Sequence, residues 1–365
     1  MHQFASGFQR NYYGKGDVTV YRLNGGIFGA NVTMLLFGDA FWPTYTTGDN
    51  TGLVATDSMK NFIQRETANF CGSDLDSYCR FLAEKFLVTY PQTGGIQITA
   101  TEIPYDGDDV FTPAGPDRAT ARIEMTAAGI VEARSGIRGF KLLRLGGSAF
   151  YGFVRDQYTT LPETHNRPLH MWLDLESYCR FLAEKFFVTY PQTGGIQITA
   201  AEIPYDGDDV FTPSGPDRAT ARIEMTAAGI VEVRSGIRGF KLLRLGGSAF
   251  YGFVRDQYTT LPETHNRPLH MWLDLEWLYT RPEAAFQSGR VTSCVRGLVA
   301  SVFRGFESGS IQQVIYQIGS KLLDELPELA EVTLEANNRT WDLAAESVYT
   351  DPRPPYGILG LTLRR

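Results

Sequence analysis

The chain has 365 residues, 43% of them hydrophobic and 21% charged, with 34 Lys+Arg against 41 Asp+Glu and a formal net charge of −7. That balance excludes a disordered chain, and the length supplies material for two or three packed units. A mild acidic excess gives the whole surface no electrostatic reason to bind nucleic acid, and no apolar run approaches the roughly 18–20 residues of a membrane span. The four cysteines, Cys71, Cys79, Cys179 and Cys294, form no C-x-x-C pair, and the N-terminus lacks the basic and apolar runs of a leader, so a cytoplasmic protein is expected.

Val18–Leu23 alternates and Val32–Phe37 is apolar, with Asn24-Gly-Gly26 between them, which predicts an antiparallel hairpin. A helix is expected to open at Thr56-Asp57-Ser58, with Met59, Phe62 and Ile63 on one face. Leu75, Tyr78, Cys79, Leu82 and Phe86 share the stripe of a second helix. Ile96, Ile98 and Ala100 alternate with Gln97, Thr99 and Thr101, as in a half-buried strand, and Ala121, Ile123 and Met125 mark the next strand. A second hairpin is predicted between Lys141–Arg144 and Ala149–Val154, followed by a strand over Leu169–Glu176.

Residues 77–176 then recur as 177–276, with only four differences: Leu87/Phe187, Thr101/Ala201, Ala114/Ser214 and Ala133/Val233. Near-identity over a hundred residues marks a recent duplication, whether natural, engineered or an artefact of assembly. It is not a solenoid, whose units are shorter and need at least about three copies. Beyond the repeat, Val291, Val295, Leu298, Val299, Val302 and Phe306 form one helical stripe. Ile311, Val314, Ile315, Ile318 and Leu322 form another, opened by the capping box of Ser310 and Gln313. Val332–Ala336 and Tyr356–Leu363 read as the last strands.

With one copy removed, 265 residues remain and read as two ββααββ units. This is an α+β arrangement with helices on one face of an antiparallel sheet. The full chain then divides into a first unit at 1–129, a hybrid middle unit at 130–225 created by the duplication, and a C-terminal unit at 226–365.

Five separated motifs resemble the uricase (urate oxidase) family of the tunnelling fold. They are Tyr13-Gly-Lys-Gly-Asp-Val18, Val54-Ala-Thr-Asp-Ser-Met-Lys-Asn-Phe62, Gly152-Phe-Val-Arg-Asp-Gln-Tyr-Thr-Thr-Leu161, Ser310-Ile-Gln312 and Asn337-Asn-Arg-Thr-Trp-Asp342. The resemblance implies cofactor-independent and metal-free oxidation of urate by O₂ and water, giving 5-hydroxyisourate and hydrogen peroxide. It also implies a homotetramer with active sites between subunits.

Carried onto this chain, the resemblance makes Lys15 and Thr56 the proton-moving pair, contributed with Asp57 by a neighbouring subunit. Phe250 is to stack on the purine, Arg267 and Gln312 to clamp it beside Ile311, and Asn337 to hold the O₂ or water position. Phe150 and Arg167 are the same pair in the first copy, but Arg267 is favoured because its hairpin feeds directly into the Gln312 helix. Arg339 stands where the family often has a relay histidine, and an arginine stays protonated and does not shuttle protons.

Each residue also has a bland reading: a solvated arginine, an N-capping threonine, a core phenylalanine, a turn asparagine. The five histidines, His2, His165, His170, His265 and His270, show no zinc spacing, which counts against metal-dependent relatives of the fold. Two rival functions remain at this point. One is a non-catalytic tunnelling-fold assembly protein whose site the duplication disrupts. The other is a different purine- or pterin-binding enzyme on the same fold.

Overall fold

The computed structural model describes residues 2, 4–8, 10–23, 28–103, 118–152, 162–178, 196–201, 218–226, 229–286, 290–345, 348–350 and 352–365. The chain opens with β1 (Asn11–Arg22) and β2 (Phe28–Phe37), the expected hairpin with both strands starting earlier. Its expected turn at Asn24–Gly26 lies outside the described residues. Short helix α1 (Trp42–Thr46) precedes α2 (Thr56–Thr67) and α3 (Leu75–Thr89). Asp74 caps α3 by accepting the Ser77 N–H at 2.7 Å. The helix stripes read from the sequence, including Met59, Phe62, Tyr78, Leu82 and Phe86, are fully buried.

Strands β3 (Gly95–Glu102), β4 (Arg118–Thr126), β5 (Gly129–Phe150) and β6 (Thr164–Tyr178) follow. The second copy supplies β7 (Ile196–Ala201), β8 (Arg218–Thr226), β9 (Gly229–Phe250) and β10 (Thr264–Tyr279). The helix expected at the start of that copy lies largely outside the described residues. Helices α4 (Arg290–Gly305) and α5 (Ile311–Glu325) lead to β11 (Leu329–Asn338), the small ribbon β12 (Asp342–Ala345) and β13 (Val348–Thr350), and finally β14 (Tyr356–Arg364).

Twelve strands form one antiparallel sheet in the order β6-β5-β4-β3-β2-β1-β14-β11-β10-β9-β8-β7. The unduplicated strands β2, β1, β14 and β11 sit at its centre, and the two copies of the repeat form its two arms. The arms share one register: Arg118 faces Arg138 as Arg218 faces Arg238, and Phe140 faces Leu173 as Phe240 faces Leu273.

Two expectations need correction. Lys141–Arg144 and Ala149 do not form a hairpin with each other, because both lie in the single long strand β5, which pairs with β6. The glycines after Leu145 are an in-strand irregularity and not a turn. Gly147 has a φ of 75° and its N–H is held by Asn166 Oδ1 at 2.6 Å, which lets the strand kink and continue. Gln97 does not face solvent. It is buried and donates to Glu124, which itself accepts the N–H groups of Ala5 and Ser6, so the N-terminal segment covers this face.

The arms differ in what covers them. Helix α4 packs on β9, where Val233 and Ile237 are buried in the same core as Val291, Val295 and Val299. In the first copy the equivalent Ile137 is 39% exposed, against 0% for Ile237. The same isoleucine is therefore a core residue in one arm and a half-covered one in the other.

Candidate functional site

One cleft lies where the sheet's centre meets the second arm. Its lining comprises Leu53, Thr56, Phe250, Leu261, Arg267, Ile311, Gln312, Asn338, Gly357 and Leu359. It is narrow, about 50 Å³ inside.

Three segments distant in sequence build it. The stretch before α2 is stitched to the second copy: the Val254 N–H donates to the Leu53 carbonyl at 2.9 Å, and Val54 bridges Val254 in parallel. Buried Asn50 donates from Nδ2 to the carbonyls of Tyr251 (2.9 Å) and Gly309 (3.1 Å), tying the second-copy loop to the turn before α5. Asn61 Nδ2 donates to the Tyr258 carbonyl and to Thr260 Oγ1, each at 2.8 Å. No motif in the sequence singles out Asn50. Its signal is only an asparagine in a glycine-rich loop.

Thr56 is the first residue of α2, but it does not cap the helix. The N-cap is Ala55, with no side-chain cap bond. The bland capping reading therefore fails, and the Thr56 side chain lines the cleft. Asp57 does not line it. Its carboxylate accepts from Lys60 Nζ at 2.5 Å and from Thr260 Oγ1 at 2.5 Å, and so clasps the loop carrying Leu261. Burial opposes its ionisation, yet the hydrogen bonds from Lys60 and Thr260 and the charges of Lys60 and Lys15 hold its pKa below the ordinary value. Lys15 lies on β1 directly opposite Gly357 of β14, on the strand face that also carries buried Tyr13. Its charge acts on Asp57 within the same chain.

Gln312 is buried in the first turn of α5. Ser310 caps this helix by accepting the Gln313 N–H at 3.0 Å, while Gln313 Oε1 accepts the Gly309 N–H at 2.8 Å. The first-turn N–H groups of Ile311 and Gln312 have no acceptor within the helix, which favours an anion at this end. The Arg267 guanidinium sits 5.7 Å from the centre of the Phe250 ring, and Phe250 stacks on Phe253 at 4.7 Å. Among the described residues no carboxylate pairs with Arg267, and its Nε is buried without a partner. Burial pushes its pKa down, although a guanidinium remains charged at neutral pH.

Two expected positions move. Asn338, not Asn337, lines the cleft. The alternation of β11 decides this, because Leu334, Ala336 and Asn338 share the helix-covered face. Asn337 points the other way, opposite Trp272, with its Oδ1 buried and partnerless among the described residues. Arg339 does not line the cleft either. Its guanidinium lies between the rings of Trp272 (4.2 Å) and Tyr356 (3.4 Å), a stacked cation with no relay geometry.

Thr56, Phe250, Arg267, Ile311 and Gln312 meet in one chain, with Lys15 and Asp57 beside them. The cause is the pairing of β1 with β14, which closes the sheet's centre within the chain while the second copy supplies β9 and β10 beside β11. In the first copy, Arg167 stands 5.9 Å from the Phe150 ring, the same local pair. That pair lies on the outermost hairpin with Phe150 42% exposed, and no Gln312 stands beside it.

Sheet, helices and cleft together define an α+β tunnelling-fold protein whose site joins a cation, side-chain amides, a hydroxyl and an aromatic wall. The uricase family model matches residues 133–214 and 233–357. The chain belongs to the uricase family. It is 28% identical to the uricase of Haloferax volcanii, over 97% of each chain. It is 29% identical to the uric acid degradation bifunctional protein of Bacillus sp. TB-90, covering 96% of this chain and 60% of that protein, so it spans less than two thirds of the bifunctional relative. The crystal structure of urate oxidase from Bacillus sp. TB-90 is 27% identical, covers 97% of this chain and 99% of that one, and superposes with a TM-score of 0.41. No helix among the described residues is long and apolar enough to cross a membrane.

Proposed function

We propose that the chain oxidises urate with O₂ and water to 5-hydroxyisourate and hydrogen peroxide. The observation that carries this reading is Arg267: a partly buried guanidinium with no carboxylate partner among the described residues, beside an aromatic ring, a buried amide and the N-terminal end of a helix. A buried cation left unpaired is costly unless a ligand supplies the charge. Urate at neutral pH is a flat anion with acceptors on its edge, and it fits that need through a charge-assisted fork from Arg267.

In this reading Gln312 and Arg267 clamp the purine beside Ile311, and Phe250 packs on its face. Thr56 and Lys15 carry the proton that leaves urate. Asn338, in place of Asn337, holds the O₂ or water position. Electrons pass from the urate dianion to O₂, which leaves as peroxide with two protons, and water adds its oxygen at C5. A homo-oligomeric, cytoplasmic protein with a complete cleft in each chain is part of the same proposal.

The test is direct. Purified protein, treated with chelator, is given urate under air, and loss of urate absorbance is followed together with peroxide release. Stoichiometric peroxide is expected. No loss of urate, or activity only after addition of a metal, overturns the proposal.

A further inference from the structure

We propose that Thr340 is a positioning residue that fixes the side-chain amide of Asn338 so that its Nδ2 faces the cleft as a donor. Asn338 Oδ1 accepts two hydrogen bonds from Thr340, from the backbone N–H at 3.0 Å and from Oγ1 at 2.7 Å. A backbone N–H can only donate, so the atom it meets is the amide oxygen, and chemistry settles which way the Asn338 amide points. Among the described residues no acceptor meets its Nδ2, which leaves two N–H groups for whatever occupies the cleft.

Gly357 leaves the space between the Asn338 side chain and Thr56 free of a Cβ. A Cβ at Gly357 would stand 3.3 Å from Asn338 Cβ, 3.9 Å from Asn338 Nδ2 and 3.5 Å from Thr56 Oγ1. Asn338 and Thr56 therefore flank one small gap, with a fixed donor on one side and a hydroxyl on the other. If the amide turned over, its oxygen would face the gap and repel an anion or a partly reduced oxygen species. Thr340 lies two residues beyond Asn338 and does not line the cleft, so it acts only through the orientation of that amide.

The kinetic arm of the test rests on the urate oxidase reading, and the spectroscopic arm does not. Thr340→Val keeps the backbone donor and removes the hydroxyl, whereas Thr340→Ser keeps both. Loss of one hydrogen bond of ordinary strength predicts about fivefold lower turnover in Thr340→Val. A positioning residue that acts after binding leaves KM within about twofold, and Thr340→Ser returns to wild-type turnover.

In ¹⁵N-labelled protein the Asn338 amide pair is identified by its loss in Asn338→Asp. It is expected to shift and to exchange faster with solvent in Thr340→Val but not in Thr340→Ser, while the rest of the spectrum reports an intact fold. Thr340→Ala serves if valine disturbs that fold. An unchanged amide pair in the hydroxyl-free variant overturns the proposal, as does equal loss of turnover in the valine and serine variants. Wild-type protein that leaves urate untouched overturns the urate oxidase reading, and the amide signal still decides the role of Thr340.

Discussion

The hydroxyl of Thr260 donates to the carboxylate of Asp57 across 2.5 Å, joining residues 203 positions apart and fastening the second copy of the repeat to helix α2. The bond matters because the loop it holds carries Leu261 into the cleft. Asp57 has its pKa held below the ordinary value, so its contribution to stability has a definite sign. It is complete above the unfolded value of about 4 and is lost as pH falls through the lower folded value. Melting temperatures of wild type and Asp57→Asn are therefore expected to differ at pH 6 and to converge as pH falls below the ordinary carboxylate range. A constant gap across that range would mean that the carboxylate's charge is not what holds the loop.

Arg267 and Arg167 test which copy serves the cleft. Arg267→Ala is expected to weaken binding of a non-reactive purine analogue by about tenfold to a hundredfold, the range for a charge-assisted contact worth roughly 1.5–3 kcal/mol. Arg167→Ala is expected to leave it within about twofold, because Arg167 lies on the outer hairpin. Calorimetric titration of both variants checks the ranking, and the reverse order would assign the site to the first copy.

Gly357→Ala places a methyl group between Thr56 and Asn338. Its backbone φ is not in the left-handed region, so the fold should tolerate it, with melting within a few degrees of wild type. Turnover is expected to fall about tenfold or more, since misplacement of about 1 Å at a reacting centre can cost about a hundredfold. Unaltered turnover would show that the gap is not used.

Ile237→Ala removes a side chain that is 0% exposed beneath α4, and a loss of about 2–5 kcal/mol is expected. Ile137→Ala changes the same residue in the same local sequence where it is 39% exposed, and a loss below about 1 kcal/mol is expected. Urea unfolding of both variants gives the comparison, and equal losses would mean that the two arms are covered alike.

Because Thr56 and Arg267 line one cleft within one chain, binding of a purine analogue should not depend on association. Serial dilution through any dissociation seen by light scattering is expected to leave the affinity per chain unchanged. Affinity lost in step with dissociation would place part of the site on a second subunit.

Much of this was legible in the chain itself. Hydrophobic periods fixed α2, α3, α4 and α5 and the strands that pair with them, because burying a stripe or a face is a local pattern written at 3.6 or 2 residues. The capping box at Ser310 named the start of α5, and five short motifs named the family. Strand parity, by contrast, decided between Asn337 and Asn338. Adjacent asparagines look alike in a motif, but the pleat sends them to opposite faces, and only the register of β11 on β10 and β14 says which face is the cleft. The two copies of the repeat make the limit sharper. Thr-His-Asn-Arg-Pro-Leu occurs at both Arg167 and Arg267, so no local property separates them. What separates them is which hairpin pairs with β11 and receives helix α4. That outcome rests on contacts between residues far apart in the chain, and identical segments acquire different roles only from the surroundings that packing gives them.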